Sequence, residues 1–401
     1  MLKKTIQDIE IGGKRVLIRV DFNVPLNEAG NITDDSRIEK SLGTIRYAVE
    51  ERARLILMSH LGRPDGKPNP KYSLKPVAKR LSELLKQPVK FVGECTGPIV
   101  EGEVKNLHEG EVLLLENLRF HPEEEKNDRQ FAQALAGLAD LYINDAFGAA
   151  HRAHASTEAV AHLLPSAAGL LMAREIEYLQ KALGAAERPF VTILGGAKVS
   201  DKMKVISNLL KKTDAILIGG AMAYPFCKVK GHSIGSSKFE QGGEVLARQV
   251  LDQAQPKGVS VVLPEDHVIA QKLEKGAPSR TVDMEIPQGW MGLDVGAKTV
   301  NEFKKVLTKA KTILWNGPLG VFETPPFDRG TREIATFVAG LKATTIIGGG
   351  DTAAAVHQLG LEEKMTHVST GGGASLEFLE GKVLPGIAAL PEKQNKVKAE
   401  V

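Results

Sequence analysis

Short apolar runs alternate with longer amphipathic stretches along the chain. RVLIRV (15–20), RLILMS (54–59), EVLLLE (111–116) and LYIN (141–144) come first. FVTIL (190–194), AILIG (215–219), VSVVLP (259–264), TILW (312–315), TTIIG (344–348) and THVST (366–370) follow. Each run is continuous and rich in Val, Ile or Leu, which predicts strands buried on both faces. Their alternation with helical segments predicts parallel sheets with right-handed crossovers. So many strands crowd a single sheet, and the simpler division is two sheets in two domains. Between the two groups lies LMAREIEYLQKALGAAERP (171–189), with Met172, Ile176, Leu179 and Leu183 at helical spacing before Gly184 and Pro189. It reads as a connecting helix followed by a joint. EGKVLPGIAALPEK (380–393), with Gly381, Pro385 and Gly386, reads as a second hinge, and KQNKVKAEV as a solvated tail.

Length and charge narrow the function classes. The chain has 401 residues, enough for two full cores. Its 42% hydrophobic and 25% charged residues describe an ordinary globular protein, and a net charge of +3 is too small to argue for nucleic acid or membrane surfaces. Any anion site must therefore be a local cluster. MLKKTIQDIE shows no apolar signal core, and AVAHLLPSAAGLLMA (159–173) is short and contains His162 and Pro165, so no export signal or span is expected. Cys95 and Cys227 lie far apart without metal spacing, which makes a reducing, cytoplasmic setting the default expectation.

In open parallel sheets, ligands bind beyond the carboxyl ends of the strands, so the residues that follow each run matter. In the first half these are Asp21 and Asn23 in RVDFNVP, and His60, Leu61, Gly62 and Arg63 in SHLGRP. Arg119 follows in ENLRFHP, then His151, Arg152 and His154 in NDAFGAAHRAH; Arg37 precedes a helical segment. A doubly wound sheet would gather them into a basic basin for a small, highly anionic ligand, since arginine suits bidentate contact with phosphate and carboxylate oxygens. No cysteine joins His151 and His154, which is weak ground for a metal site.

The second half carries glycine at the same places: LGGAK (194–198), IGGAM (218–222), NGPLG (316–320), IGGGDT (347–352) and STGGGAS (369–375). Glycine lets backbone approach phosphate, and a following helix start offers free N–H groups. Gly348 to Ala353 fits a dinucleotide fingerprint. However, Asp351 would oppose a pyrophosphate, and the next strand end offers no acid for a ribose hydroxyl. An aspartate beside phosphates is explained by an intervening Mg2+. Lys198 and Lys202, four apart at what reads as a helix start, oppose the helix dipole unless phosphates lie between them. ATP or ADP is the nucleotide these features suggest, with Glu323 a candidate for the ribose.

RVLIRVDFNVP, SHLGRP, NDAFGAAHRAH, TILGGAKVSDK, WNGPLGVFE, GGGDT and STGGGASLEFLEGKVLPG, in order from about Val16 to Leu390, together resemble the phosphoglycerate kinase family. The resemblance implies an α/β fold of two similar Rossmann-like domains, each a doubly wound, mainly parallel sheet, joined by a helix and hinge. Residues 1–170 would bind 3-phosphoglycerate or 1,3-bisphosphoglycerate. Residues 171–185 would form the interdomain helix, 186–380 the nucleotide domain, and 381–401 a segment returning to the first domain. Asp21, Asn23, Arg37, His60, Leu61, Gly62, Arg63, Arg119, His151, Arg152 and His154 would hold the substrate. Gly195, Lys198, Lys202, Gly219, Asn316, Pro318, Glu323, Gly349, Gly350, Asp351, Thr352, Gly371, Gly372 and Gly373 would hold the nucleotide, with Asp351 linked to Mg2+. Arg37, Lys198 and Gly372 would act in the transfer itself.

The reaction so implied is the glycolytic, reversible transfer of a phosphoryl group from 1,3-bisphosphoglycerate to MgADP, giving 3-phosphoglycerate and MgATP, in a monomer that closes about its hinge. The acceptor carboxylate is already ionised at neutral pH, so no general base is expected. Two other readings stand beside it: a kinase for a different carboxylate, and a non-catalytic nucleotide-binding module.

Overall fold

The computed structural model describes residues 2–393; beyond Lys393, the expected solvated tail lies outside the described residues. The chain divides into two compact units. One runs to Glu177 and resumes at Val383; the other is Tyr178–Lys382.

The first unit holds six strands: β1 (Arg15–Arg19), β2 (Arg54–Met58), β3 (Val89–Phe91), β4 (Val112–Leu114), β5 (Leu141–Asn144) and β6 (Ser166–Ala168). They form one sheet in the order β3-β4-β2-β1-β5-β6, and every pairing is parallel. Side chains alternate between the two faces of a strand. On one face Val16, Ile18, Leu55, Leu57, Val112 and Leu114 pack against Ile38 and Ile45 of helix Ser36–Glu50 and Val77 and Leu81 of helix Lys75–Leu85. Burial on both faces explains why these strands read as unbroken apolar runs. β3 is half-buried throughout and β6 is Ser-Ala-Ala, so neither shows that signal.

The second unit holds β7 (Phe190–Leu194), β8 (Ala215–Ile218), β9 (Ser260–Val262), β10 (His267–Ala270), β11 (Ser279–Val282), β12 (Met291–Val295), β13 (Thr312–Asn316), β14 (Thr344–Gly348) and β15 (His367–Val368). Six of them make a second all-parallel sheet, β15-β14-β13-β7-β8-β9. Ile193, Leu217, Ile313 and Trp315 face a core closed by Phe303 and Ile334; Leu194, Ile216 and Ile218 face another closed by Ile206, Phe226 and Val250. The remaining three form a small antiparallel sheet, β11-β10-β12, that the apolar-run pattern does not predict. Its edge strand Ser279–Val282 has three exposed residues out of four and offers no apolar run. Among the described residues no helix is long and apolar enough to cross a membrane.

Helix Leu170–Gly184 carries the chain from the first unit to the second. Its first turn is anchored by Asp145, at the end of β5, whose Oδ1 accepts a hydrogen bond from Met172 N at 3.1 Å. The segment after Val383 closes the first unit: Gly386 N donates to Ala150 O at 2.9 Å, Lys3 Nζ donates to Leu390 O at 2.7 Å, and Lys393 pairs with Asp8 at 2.8 Å.

Burial pushes the Asp145 carboxyl up to about 7, against the pull of the Thr44 hydroxyl and the Met172 and Leu171 amides. A carboxyl with a raised folded pKa contributes stability that is full below its unfolded pKa and lost as pH rises through the folded one. Asp145→Asn removes that loss while keeping an acceptor for Met172 N. Its stability relative to the parent should therefore rise between about pH 4 and 7, by an amount of order a few kcal/mol, and level off above. Urea unfolding at pH 5 and pH 8 measures this; an equal difference at both would show that Asp145 ionises in the folded chain as it does in the unfolded one.

Candidate active site

In the first sheet the strand order reverses at β1: β2, β3 and β4 lie to one side and β5 and β6 to the other. Loops leaving β1 and β5 therefore part, which opens a crevice at their carboxyl ends. Asp21 and Asn23 leave β1, residues 145–156 leave β5, His60 to Arg63 leave β2, and Arg119 follows β4.

Contacts join most of these residues into one network. Arg37, from the first turn of helix Ser36–Glu50, donates through Nη1 to Asp21 Oδ2. Asp21 Oδ1 accepts from Asn23 N at 3.2 Å, and Asn23 Oδ1 accepts from Gly62 N at 2.8 Å. Arg119 Nη1 donates to Gly62 O at 2.8 Å, while its Nε lies 3.2 Å from Glu125. Arg63 and Arg152 are exposed, and Arg152 Nε donates to His151 Nε2 at 3.2 Å. Leu61 is drawn inward: its side chain is buried, its N–H donates to Asn117 Oδ1 at 3.1 Å, and its carbonyl accepts from Asn117 Nδ2 at 2.7 Å. With both backbone groups taken, Leu61 braces the rim from below.

Beneath the rim lies a residue that the apolar-run reading passes over. Arg19, the last residue of β1, is 1% exposed. Its Nε donates to Ser156 Oγ at 2.8 Å; Ser156 Oγ donates in turn to Glu124 Oε1 at 2.6 Å, and Ser156 N to Glu124 Oε2 at 2.9 Å. Glu124 is buried as well, so a buried cation is matched to a buried carboxyl through one hydroxyl. Arg19 Nη2 also lies 3.1 Å from His60 Nδ1. A guanidinium only donates, so Nδ1 accepts and the ring proton resides on Nε2. The signal in the sequence was a charge inside RVLIRV, where the pattern calls for an apolar side chain.

Burial, reinforced by Arg19, holds His60 well below the usual histidine range. Burial, then Arg19 and Arg119, brings His154 down to about 4. Both rings are therefore uncharged at neutral pH, and the positive charge of the basin belongs to its arginines. Burial pushes Asp21 up, but its polar neighbours, Arg37 foremost, hold the carboxyl below its ordinary value.

The second sheet reverses at β7, between β8 and β13. Loops from β7 and β13 meet there backbone to backbone. A Cβ on Gly195 would stand 2.0 Å from Pro318 O, and one on Gly317 2.2 Å from Gly195 O. Gly196 N donates to Pro318 O at 3.0 Å, and Gly317 N to Thr352 Oγ1 at 2.6 Å. Thr352 is thus buried and ties the β13 loop to helix Gly350–Gln358. Gly219 packs closely too, since a Cβ there would meet Leu319 Cδ2 at 2.4 Å.

Lys202 Nζ donates to Asn316 Oδ1, at the end of β13. Burial lowers Lys202 to about 8, with Asp351 and Asp201 opposing it. Asn316 Nδ2 is buried without a hydrogen-bond partner, and the side of Gly349, at φ +84°, faces it. Lys198 and Lys202 do not share a helix. Lys198 is exposed in the irregular segment after β7, a 3-10 turn spans Ser200–Lys202, and the helix begins at Met203. Glu240 holds the start of the 3-10 turn: its Oε2 accepts from Val199 N at 2.9 Å and Ser200 N at 3.1 Å. Glu323, Gly350, Asp351 and Gly373 are exposed. Gly371 N donates to Ser369 Oγ at 3.1 Å, and Gly372, at φ +49°, precedes helix Gly373–Leu379.

Among the described residues no group of three or more His, Cys, Asp or Glu side chains is arranged to hold a metal ion. The single exposed carboxylate of Asp351 does fit a Mg2+ held chiefly by phosphates, because that ion is commonly bound by one or two carboxylates plus substrate.

Residues 6–382 match the family model described as Phosphoglycerate kinase. The chain is 56% identical over 399 residues to the phosphoglycerate kinase of Thermosipho africanus, covering 98% of this chain and 99% of that protein. It is likewise 56% identical over 394 residues to that of Moorella thermoacetica, covering 98% and 100%. A solved structure of phosphoglycerate kinase from Coxiella burnetii superposes with a TM-score of 0.87 at 40% identity, covering 96% of this chain and 98% of that one. With matches of this extent in sequence and in fold, the chain belongs to the phosphoglycerate kinase family.

Proposed function

We propose that the two rims divide the phosphoglycerate kinase reaction between them, the arginine rim holding the phosphoglycerate and the glycine rim holding the nucleotide. The chain is a kinase that transfers a phosphoryl group to a carboxylate, and a nucleotide is one of its substrates. The observation that carries the division is chemical contrast at equivalent places. Each rim follows the carboxyl ends of a six-stranded parallel sheet; one presents arginine, the other glycine backbone and lysine.

In the first unit, Arg63, Arg119 and Arg152 suit the phosphate of 3-phosphoglycerate, and Arg37, steadied by Asp21, suits the carboxylate that exchanges the phosphoryl group. His60, neutral with its proton on Nε2, serves as a hydrogen-bond donor and not as a charge. Asn23, His151 and His154 complete the pocket. In the second unit, Gly195, Gly219, Gly349 and Gly350 admit the nucleotide to the backbone, the unpartnered Asn316 Nδ2 offers a donor beside Pro318, and Glu323 takes the ribose hydroxyls. Thr352 fixes the loop that carries these groups.

Asp351 would hold Mg2+ against the nucleotide phosphates, where the ion neutralises charge developing on the phosphoryl oxygens. Lys202 binds the nucleotide phosphates. Burial lowers its pKa to about 8, so it stays mostly charged at neutral pH, and a bound polyphosphate would hold the charged form more firmly. Lys198 and the amides of Gly372 and Gly373 meet the equatorial oxygens of the moving group, while the Gly371 amide, held by Ser369 Oγ, fixes the turn that presents them. The acceptor carboxylate needs no base, so positioning and charge stabilisation perform the transfer. Closure about the flanks of helix Leu170–Gly184 and near Gly381 brings reactants together and keeps water from the acyl phosphate. A monomer in the cytoplasm completes the reading.

A coupled assay with 3-phosphoglycerate and MgATP that detects the acyl phosphate tests the function directly; a folded sample without turnover overturns it. Lys198→Ala should lower kcat by about a hundredfold or more while the unfolding curve stays unchanged; Arg37→Ala should lower kcat likewise, and should also lower stability because buried Asp21 loses its ion pair. Arg152→Ala should chiefly raise the KM for 3-phosphoglycerate. Equal and small effects at all three would assign the basic groups to diffuse steering. Small-angle scattering should show compaction only when both substrates are present, and an unchanged radius of gyration with both bound would exclude closure.

A further inference from the structure

A cavity of the first unit lies beside the arginine rim, outside the substrate positions proposed above. Its volume is about 910 Å³, within the range of sites that hold whole small molecules. Pro68, Pro70, Pro76 and Phe120 give it mainly apolar walls. Lys75 and Lys79 line it from one face of helix Lys75–Leu85, four residues apart. Among the described contacts neither Nζ has a hydrogen-bond or ion-pair partner. Lys75 opens the helix, where the macrodipole opposes a cation, and Lys79 stands one turn further on the same face.

The carboxylates of the cavity are otherwise engaged or set apart. Glu116 is buried; its Oε1 accepts from Leu74 N at 2.8 Å and Asn117 N at 2.7 Å, and its Oε2 from Ser73 Oγ at 2.7 Å. Glu94 stands near His121, 3.8 Å away, and its side chain is 56% exposed. The cavity is thus cationic at its lysine edge, apolar in its walls, and anionic at the Glu94 edge, which disfavours a second negative charge on an occupant.

We infer that this cavity binds a small organic anion with a flat apolar body and one negative end, seated on Phe120 and the prolines with its charge at Lys75 and Lys79. The site is separate from the substrate positions proposed above. It shares with them the segment Glu116 to His121, whose Asn117 braces Leu61 and whose Arg119 supports Gly62. Gly93 lines the cavity, and a Cβ there would meet nothing within 4 Å, so a large side chain at this position fills the space without a clash at its root.

Anilinonaphthalene sulfonate has the required form and reports its own burial by fluorescence. Titrated into the full chain with 3-phosphoglycerate and MgADP saturating, it should bind saturably at one site. Both Lys75→Ala/Lys79→Ala and Gly93→Phe should weaken binding by at least about tenfold, while turnover with the natural substrates stays near the parent value. No saturable binding, displacement of the probe by the substrates, or parental affinity in either variant overturns the inference. The lysine pair is exposed, so that variant remains informative if Gly93→Phe does not fold.

Discussion

The rim of the second unit depends on one approach between two backbones. Where the strand order reverses at β7, the loops from β7 and β13 leave neighbouring strands toward opposite sides, and Gly195 and Gly317 touch main chain to main chain. No side chain fits on either facing surface. This steric demand fixes Asn316 and Pro318 in space, and through them Lys202 and Thr352. Such a turn also leaves polar backbone close to the surface, where phosphate oxygens can reach it. The same two glycines therefore serve packing and ligand approach.

The first unit meets its reversal point differently. Its constraint is electrostatic: Arg19 is a cation without access to water, and Ser156 and Glu124 answer it from a segment more than a hundred residues away. The fold gains a fixed anchor for His60 and a hydrogen-bonded partner for a buried guanidinium. Removing one member of such a set leaves the other buried and unpaired, which is far more destabilising than removing both. Above this set, Arg63 and Arg152 stand exposed toward a ligand, while Arg37 and Arg119 are held by Asp21 and Gly62.

Much of this was legible in the sequence, for identifiable reasons. Strands buried on both faces leave continuous apolar runs, and each of the runs quoted at the outset contains a strand, down to the two residues His367–Val368. β6 and the antiparallel sheet were not legible, because Ser166–Ala168 lacks bulk and Ser279–Val282 faces solvent. Among the site residues, those following strand ends could be picked out by type and place. The supports could not: Asn117, Glu124, Ser156 and Glu240 act through contacts that depend on tertiary closure. Lys198 and Lys202 show the limit of periodicity, since a four-residue interval suggested one helical face, whereas the Glu240 carboxylate holds Val199 and Ser200 at the start of a 3-10 turn and the helix begins only at Met203.

The discontinuity of the first unit has a consequence for how the chain is made. Tyr178–Lys382 is a single uninterrupted stretch, whereas the other unit needs Val383 onward to complete it, including the hydrogen bond from Gly386 to Ala150. On a ribosome adding about 5–20 residues per second, all six strands of the first unit's sheet are synthesised long before its closing segment exists. For an interval of roughly ten seconds or more, the surface around Ala150 and Lys3 is left uncovered while the second unit emerges. The unit that begins first in the sequence is thus the one that finishes last, and vectorial synthesis places its period of greatest vulnerability to misassociation before completion.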